Sequence, residues 1–288
     1  MNEQVLRFGP NETLLGILTQ PSGARRTHTP VALILNAGVV HRVGPFRLHV
    51  DLARSLADRG YTSLRMDLSG LGDSEVRKEL PDEEDRAMLD INDALDALEQ
   101  KLGVSEFVPM GLCSGAYNSH QVCVASDRLT GGVFLDGIAY ETEGHSRRRI
   151  QRRMGFRFLR NALKKRIVPD VIPYEETSEI DSAEFFTNDK EASEVAAEIQ
   201  AMLDRRMRLL FIYTGGNKEF SSVDQFKEMF SLTPNGRELQ VDYYKDYEHT
   251  FRLTPNRDVI VRRISEWFME QFPIGENRSV EGHFPVHS

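Results

Sequence analysis

The sequence predicts an α/β protein built on a mostly parallel sheet with helices on both faces. First, short apolar runs alternate with helical patterns along most of the 288 residues. Second, some runs are continuously apolar, as Val31–Leu35 is, which indicates strands that are buried on both faces. Third, Gly111-Leu112-Cys113-Ser114-Gly115 follows an apolar run and opens a helical stretch of small residues. Alternation of strands with helices is typical of a parallel sheet that is covered on both sides.

The first half of the chain supplies five of the predicted strands. Two strand-like runs flank the turn sequence Gly9-Pro10-Asn11, which is a hairpin pattern. Two helices are predicted from apolar residues that recur every three or four positions. In chain order these elements are strands Gln4–Phe8, Leu14–Leu18 and Val31–Leu35, helix Leu48–Leu56, strand Thr62–Met66, helix Met88–Leu102 and the strand that begins at Phe107.

The second half continues the alternation after one interruption. A helix is expected from Cys113 to about Ser126, followed by strand Gly132–Leu135. The segment 139–206 then shows no strand pattern and carries many charges. The alternation resumes with strands Leu209–Tyr213 and Leu239–Tyr244 and closes with the amphipathic helix Val259–Phe272. We therefore expect a core formed by residues 1–138 and 207–272, a helical lid at 139–206 and a flexible tail at 273–288.

Composition excludes several functional classes. The net charge of −8 argues against a nucleic-acid partner, and no apolar stretch is long enough to span a membrane, so we expect neither nucleic-acid binding nor a membrane-spanning segment. Two cysteines give no disulfide framework, and no signal peptide is recognised at the N-terminus, so the cytoplasm is the expected compartment. No spacing typical of metal ligands is visible, and no cofactor is expected.

The pattern around Cys113 predicts a reactive thiol. Glycines stand two residues before and two residues after it, as on a tight strand-to-helix turn that presents a nucleophile. The N-terminus of the following helix favours a thiolate there. Ser114 is the alternative nucleophile, but its flanking residues would be Leu112 and Ala116, whose Cβ atoms crowd such a turn. Cys123 lies in an apolar helical stretch, where core packing is the expected role.

Three further segments carry a family resemblance. Asn36-Ala37-Gly38-Val39 follows the first buried strand, residues 65–74 contain Asp-x-x-Gly-x-Gly-x-Ser, and Glu248-His249-Thr250-Phe251 follows the last strand. Together with the turn at Cys113, this order resembles the α/β-hydrolase superfamily over nearly the whole chain outside 139–206 and the tail. With a cysteine at this turn, the chain resembles dienelactone hydrolase and certain thioesterases. The stretch 36–74 also resembles hydrolases associated with bacterial exosortase systems.

The resemblance implies a role for each candidate residue. Cys113 would be the nucleophile and His249 the general base. Glu219, after the seventh strand, is the preferred carboxylate to orient His249, and Asp136, at the end of the sixth strand, is its rival. The backbone N–H of Ser114, with that of Gly38 or Val39, would form an oxyanion hole. An insert after the sixth strand matches the position of lids in this superfamily.

Substrate contacts are less determined by the sequence. His41 and Arg42 lie in the predicted oxyanion loop and are candidates to touch substrate, with a solvated loop as the alternative. The segment 145–166 holds ten Lys or Arg and no acidic residue, whereas residues 169–204 are strongly acidic. Three explanations stay open: the two halves pair with each other, residues such as Arg148 and Arg152 bind an anionic group of a substrate or acyl carrier, or the basic helix lies on a membrane surface.

The function expected from these features is hydrolysis of a small-molecule ester or thioester through a Cys113 acyl-enzyme, as in an esterase, thioesterase or lactonase. One alternative is an acyltransferase or cyclase that passes the acyl group to an amine or a hydroxyl, since a thioester intermediate suits aminolysis. Another alternative, of a different class, is a non-catalytic binding protein on the same fold, because fold alone does not establish function.

Overall fold

A central sheet of eight strands organises the molecule, whose computed structural model describes residues 1–23, 29–77, 83–148 and 189–274. In these ranges the strands are β1 Asn2–Phe8, β2 Leu14–Gln20, β3 Val31–Ile34, β4 Ser63–Asp67, β5 Phe107–Leu112, β6 Gly131–Leu135, β7 Arg208–Thr214 and β8 Leu239–Tyr244. The strand order across the sheet is β1-β2-β4-β3-β5-β6-β7-β8. The predicted strands are all present, with boundaries that differ by a few residues at most.

The direction of the strands determines where a site can form. β2 pairs antiparallel with both β1 and β4. From β4 across to β8 every neighbouring pair is parallel. The carboxyl ends of β3, β5, β6, β7 and β8 therefore meet at one edge of the sheet. Loops at this edge carry the ligand-binding residues in open α/β sheets.

Helices cover both faces of the sheet. The helices are α1 Leu48–Asp58, α2 Glu83–Leu102, α3 Ser114–Ala125, α4 Ala192–Asp204, α5 Asp224–Phe230 and α6 Thr254–Gln271, and residues 143–148 are also helical. α1 and α6 pack against each other over one core, in which Trp267 is fully buried, and the remaining four named helices cover the other core. Within the described ranges, none of the helices combines the length and apolarity needed to cross a bilayer.

Helix α4 changes the predicted boundary of the lid. Its residues Val195, Ile199 and Met202 are buried in the core, and the helix packs against α3 and α5. The spacing of four and three residues places these side chains on one helical face, as expected for a helix that lies on a sheet. The expected lid at 139–206 was therefore too long, because 192–204 belongs to the helical layer of the core. Residues 149–188 of that lid, including Arg152, and residues 275–288 of the tail lie outside the described residues.

Candidate active site

Cys113 occupies a sharp turn between β5 and α3. Its backbone has φ 57° and ψ −119°, a conformation that few non-glycine residues adopt. A Cβ at Gly111 would stand 2.4 Å from the backbone of Gly115, and a Cβ at Gly115 would stand 2.4 Å from the carbonyl oxygen of Asn36. Both glycines are therefore required by the close approach of backbones around the turn. The turn predicted from the glycine spacing is confirmed in its geometry, and the thiol of Cys113 is partly exposed at the carboxyl edge of the sheet.

His249 lies beside Cys113 and is held by Asp136. The Nδ1 atom of His249 lies 2.9 Å from Oδ2 of Asp136, whose side chain is buried. Asp136 also accepts hydrogen bonds from the N–H and the hydroxyl of Thr214, each at 2.6 Å. Because Nδ1 is engaged by Asp136, the Nε2 atom of His249 is the ring nitrogen available to Cys113.

Burial and hydrogen bonding act in opposite directions on His249. Desolvation alone lowers the pKa of the imidazole, but hydrogen bonds with Asp136 and with the Cys113 thiol, together with their charges, raise that pKa to about 10. The imidazolium is therefore the favoured form of His249 at neutral pH in this arrangement.

The carboxylate bonded to His249 is not the one that the sequence pattern favours. Glu219 was the preferred orienting acid, but its side chain is exposed, its N–H donates to Asn217 at 3.0 Å and its carbonyl accepts from Gln225. Asp136, the rival, follows β6 directly and sits between β5 and β7, where Thr214 fixes its carboxylate. The partner of His249 is therefore the carboxylate at the end of β6, and not the carboxylate in the loop after β7.

Three loops at this edge adopt unusual backbone angles. Cys113, Asp136 and Phe251 all have positive φ, at 57°, 43° and 53°. Phe251 lies two residues after His249 and is fully buried. Conformations of this kind persist only where the surrounding structure imposes them, and they cluster at functional sites. The loops that carry the thiol, the imidazole and the carboxylate share this property.

The predicted oxyanion loop reaches the first residue of α3. The Gly38 N–H donates to the hydroxyl oxygen of Ser114 at 2.8 Å. The Val39 side chain is 58% exposed, so it points away from the protein. The structure therefore brings Ser114 and Gly38 together. Gly38, rather than Val39, is the loop residue whose N–H is directed at the turn between β5 and α3.

A buried carboxylate holds the predicted oxyanion loop, the segment after β3 that contains Asn36, Gly38 and Arg42, in place. Asp67, fully buried at the end of β4, accepts from the Arg42 N–H at 2.6 Å and from the Asn36 amide at 3.2 Å, and it forms an ion pair with the Arg42 guanidinium. Asn36 in turn accepts from the Leu68 N–H at 2.8 Å and donates to the Val40 carbonyl at 3.0 Å. The motif at 67–74, which in the sequence carried only a family resemblance, thus anchors the segment that carries Gly38.

Two of the predicted substrate-binding residues form ion pairs within the protein. Arg42 bridges Asp67 and Asp73, so its charge is already paired. Arg148 is paired with Glu228 of α5 at 2.9 Å and also donates to Ser221 at 3.0 Å. Each of these two residues therefore has carboxylate partners that are distant in the sequence, and their role as substrate contacts stays a prediction. His41 is exposed in the same loop as Arg42.

Two contributors were missed by the sequence pattern. Thr214 donates twice to Asp136, and Asn36 joins the oxyanion loop to the end of β4. A signal for Thr214 was available, since it is the last residue of the strand next to Asp136 and a hydroxyl group there can reach a neighbouring carboxylate. The role of Asn36 depends on a contact with residues more than thirty positions away, and no local pattern indicates it.

Comparisons with known proteins support the fold and leave the chemistry open. No family model matches the chain, and no curated protein sequence matches it. Many solved structures do match. An α/β serine hydrolase homologue from Coxiella burnetii is 15% identical, with 91% of this chain and 97% of that chain covered and a TM-score of 0.53. Dienelactone hydrolase from Anabaena variabilis is 13% identical, with 94% and 98% covered and a TM-score of 0.59.

A third example is an esterase from Pyrococcus furiosus, 13% identical, with 95% of this chain and 92% of that chain covered and a TM-score of 0.59. Each of these alignments spans nearly the full length of both chains. At such low identity the similarity concerns the arrangement of strands and helices rather than individual side chains. The chain has the α/β-hydrolase fold, with an eight-stranded, mostly parallel sheet flanked by helices.

Proposed function

We propose that this protein hydrolyses small-molecule esters through a covalent acyl-enzyme on Cys113. The observation that carries the proposal is the hydrogen-bonded pair of His249 and Asp136, 2.9 Å from Nδ1 to Oδ2, at the edge of the sheet where Cys113 occupies its turn, with the Cys113 thiol among the groups that raise the pKa of the imidazole. A nucleophile, a base within hydrogen-bond reach and a third group that orients the base form the arrangement needed for nucleophilic catalysis. The position of Cys113 on the strained turn after β5 supports the same role.

In the acylation step the sulfur of Cys113 attacks the ester carbonyl carbon while His249 holds the thiol proton. The carbonyl oxygen becomes an oxyanion, which backbone N–H groups at the start of α3 stabilise. When the tetrahedral intermediate collapses, the bond to the alcohol or thiol leaving group breaks, and the imidazolium of His249 gives that group its proton. Asp136 keeps Nδ1 of His249 engaged throughout, so the ring stays oriented towards sulfur.

In the deacylation step a water molecule attacks the Cys113 thioester and gives a proton to His249. Collapse of the second tetrahedral intermediate releases the carboxylic acid and restores the cysteine. An amine or hydroxyl in place of water would make the protein an acyltransferase or cyclase. The described residues include no feature that selects the acceptor, so hydrolysis is the simpler proposal and transfer is an outcome of the experiment below.

The substrate class proposed is a small ester or thioester rather than a carrier-bound one. Binding of an acyl carrier was one of the three explanations for the arginines of the basic segment, but Arg148 is engaged by Glu228 and Ser221. Solved structures that match over nearly their whole length are described as esterases and a dienelactone hydrolase. For the compartment we propose the cytoplasm, because a nucleophilic thiol there stays reduced.

The test is intact-protein mass spectrometry after brief exposure to p-nitrophenyl acetate. Wild-type protein should gain one acetyl group on Cys113, and release of p-nitrophenol should continue after the first turnover. Cys113→Ala should show neither. Cys123→Ala is the matched control, since Cys123 is fully buried in the core and burial raises the pKa of its thiol.

Each outcome separates one alternative. An adduct that persists in Cys113→Ala and disappears in Ser114→Ala would assign the nucleophile to the neighbouring serine. A stable adduct that water does not remove, but that an added amine or alcohol does, would identify acyl transfer. If no activated ester forms an adduct, the result would favour a non-catalytic binding protein on the same fold.

A further inference from the structure

The hydroxyl of Ser114 lies within hydrogen-bond distance of the Gly38 N–H, one of the predicted oxyanion donors. Ser114 directly follows Cys113 and is the first residue of α3, and its oxygen accepts the Gly38 N–H at 2.8 Å. The residue is only partly buried. Within the described part of the chain, the Ser114 hydroxyl has an identified donor and no acceptor for its own proton. A hydroxyl group in this state has one O–H left to give.

The hydrogen bond from Gly38 to Ser114 limits the donors that the predicted oxyanion loop can give to a substrate. An N–H has a single proton, so the Gly38 N–H cannot be given in full to Ser114 and to a substrate oxyanion at once. The hydroxyl can accept from Gly38 and donate outwards at the same time. A donor that itself accepts a hydrogen bond is polarised and becomes a stronger donor, because chains of hydrogen bonds reinforce one another. The loop is also held in place by Asn36 and Arg42, so Gly38 stays aimed at Ser114.

We propose that the Ser114 side chain is itself a catalytic oxyanion donor, which accepts the Gly38 N–H and gives its own O–H to the developing negative charge. This inference rests on the proposed function and adds a side-chain donor to the backbone N–H of the same residue. Ser114 thus acts through its hydroxyl in stabilising the tetrahedral intermediate and does not serve as the nucleophile.

If the Ser114 hydroxyl blocked the oxyanion hole instead of donating to it, its removal would have the opposite effect on the acylation rate. A Ser114 hydroxyl that merely filled the oxyanion hole in the resting protein would have to move before substrate could react. Its removal would then free the Gly38 N–H and leave acylation unchanged or faster. A donor hydroxyl gives a slower reaction when it is removed, on the order of 10²-fold for one oxyanion donor.

The experiment compares two reactions of Cys113 in the full-length protein. Acylation by p-nitrophenyl acetate passes through a tetrahedral oxyanion, whereas alkylation by iodoacetamide displaces iodide and forms no oxyanion. Ser114→Ala should slow acylation by on the order of 10²-fold while alkylation stays within about twofold of wild type. Ser114→Thr keeps the hydroxyl and should recover most of the acylation rate. Ser126→Ala, at the other end of α3, is the matched control for a serine removed beside the same helix.

The results separate this inference from the proposed function. If wild-type Cys113 is not acylated at all, the proposed function fails before Ser114 is tested. If wild type is acylated and Ser114→Ala reacts as fast or faster, the hydroxyl only fills the hole and this inference is overturned. A parallel loss of acylation and alkylation would assign Ser114 to the Cys113–His249 pair and would also overturn it, as would Ser114→Thr reacting as slowly as Ser114→Ala.

Discussion

The imidazole of His249 and the carboxylate of Asp136 are in contact, although the strands that precede them are separated by a third strand. Their Nδ1 and Oδ2 atoms are 2.9 Å apart, although the residues are separated by 113 positions in the chain. Asp136 follows β6 and His249 follows β8, and β7 lies between them. The last residue of β7, Thr214, gives both its N–H and its hydroxyl to Asp136. The intervening strand therefore fixes the carboxylate, and the carboxylate fixes the imidazole.

Asp136→Asn should impair acylation far more than Glu219→Gln does. The asparagine keeps the shape of the side chain but cannot stabilise the imidazolium and can favour the wrong tautomer, a change that costs up to about 10⁴-fold in a comparable triad. Glu219 is exposed and its side chain does not bond His249, so its amide variant should stay within about threefold of wild type. The measurement is kcat/KM for p-nitrophenyl acetate with both variants at equal Cys113 content. A crippled Glu219→Gln with a normal Asp136→Asn would return the acid to the loop after β7.

The ion pair of His249 should contribute stability that disappears at high pH. The folded pKa of His249 is raised to about 10 against an ordinary value of 6.5, so the folded state holds a proton that the unfolded chain releases between these values. This contribution is complete below pH 6.5 and is lost as pH rises through about 10. The difference in unfolding free energy between wild type and His249→Gln, from urea titrations, should shrink steadily from pH 7 to pH 10. A difference that is constant over this interval would contradict the raised pKa.

The sequence was sufficient to predict the features that depend on residues close together in the chain. Buried strands such as β3 are apolar at every position, and the turn at Cys113 needs glycines at fixed places because backbones approach there. His249 could be found because it follows the last strand. The fold class and two members of the candidate triad therefore follow from patterns within a few residues of each position.

The points that the sequence does not resolve depend on contacts between distant segments. Asp136 and Glu219 both follow central strands, but Asp136 is buried, bonds His249 and accepts two hydrogen bonds from Thr214, whereas Glu219 is exposed. Arg42 looked available to substrate because its partners Asp67 and Asp73 lie 25 and 31 residues away. The charges of 169–204 likewise hid the apolar face of α4, which packs on the core.

Arg42→Gln should weaken both the fold and the acylation reaction. The change leaves the fully buried Asp67 without its ion-pair partner, and breaking one side of a buried pair costs about 3 kcal/mol or more. It also releases the segment that presents Gly38 to Ser114. We expect a lower midpoint in urea unfolding and slower acylation of Cys113, with normal alkylation by iodoacetamide. The double variant Arg42→Gln, Asp67→Asn should recover part of the stability, because neither unpaired charge remains.

His49 should make the protein sensitive to acid. This residue of α1 is fully buried beside Leu48, Leu52 and Met110, and neither of its ring nitrogens has a hydrogen-bond partner among the described residues. Burial, with the charge of Arg65 as a smaller cause, lowers the pKa of His49 to about 3. Between pH 6.5 and about 3 the unfolded chain therefore binds a proton that the folded protein does not.

Stability from this group is present above pH 6.5 and is lost as pH falls, by about 1.4 kcal/mol for each pH unit. His49→Leu removes the titration and two unpaired nitrogens while keeping an apolar side chain in an apolar site. Its unfolding free energy should decline less steeply than that of wild type between pH 6.5 and 4.5, whichever protein is the more stable at pH 7. Urea titrations at half-unit intervals measure both slopes. Equal slopes would mean that His49 is hydrogen-bonded or charged in the folded state and that other groups govern acid unfolding.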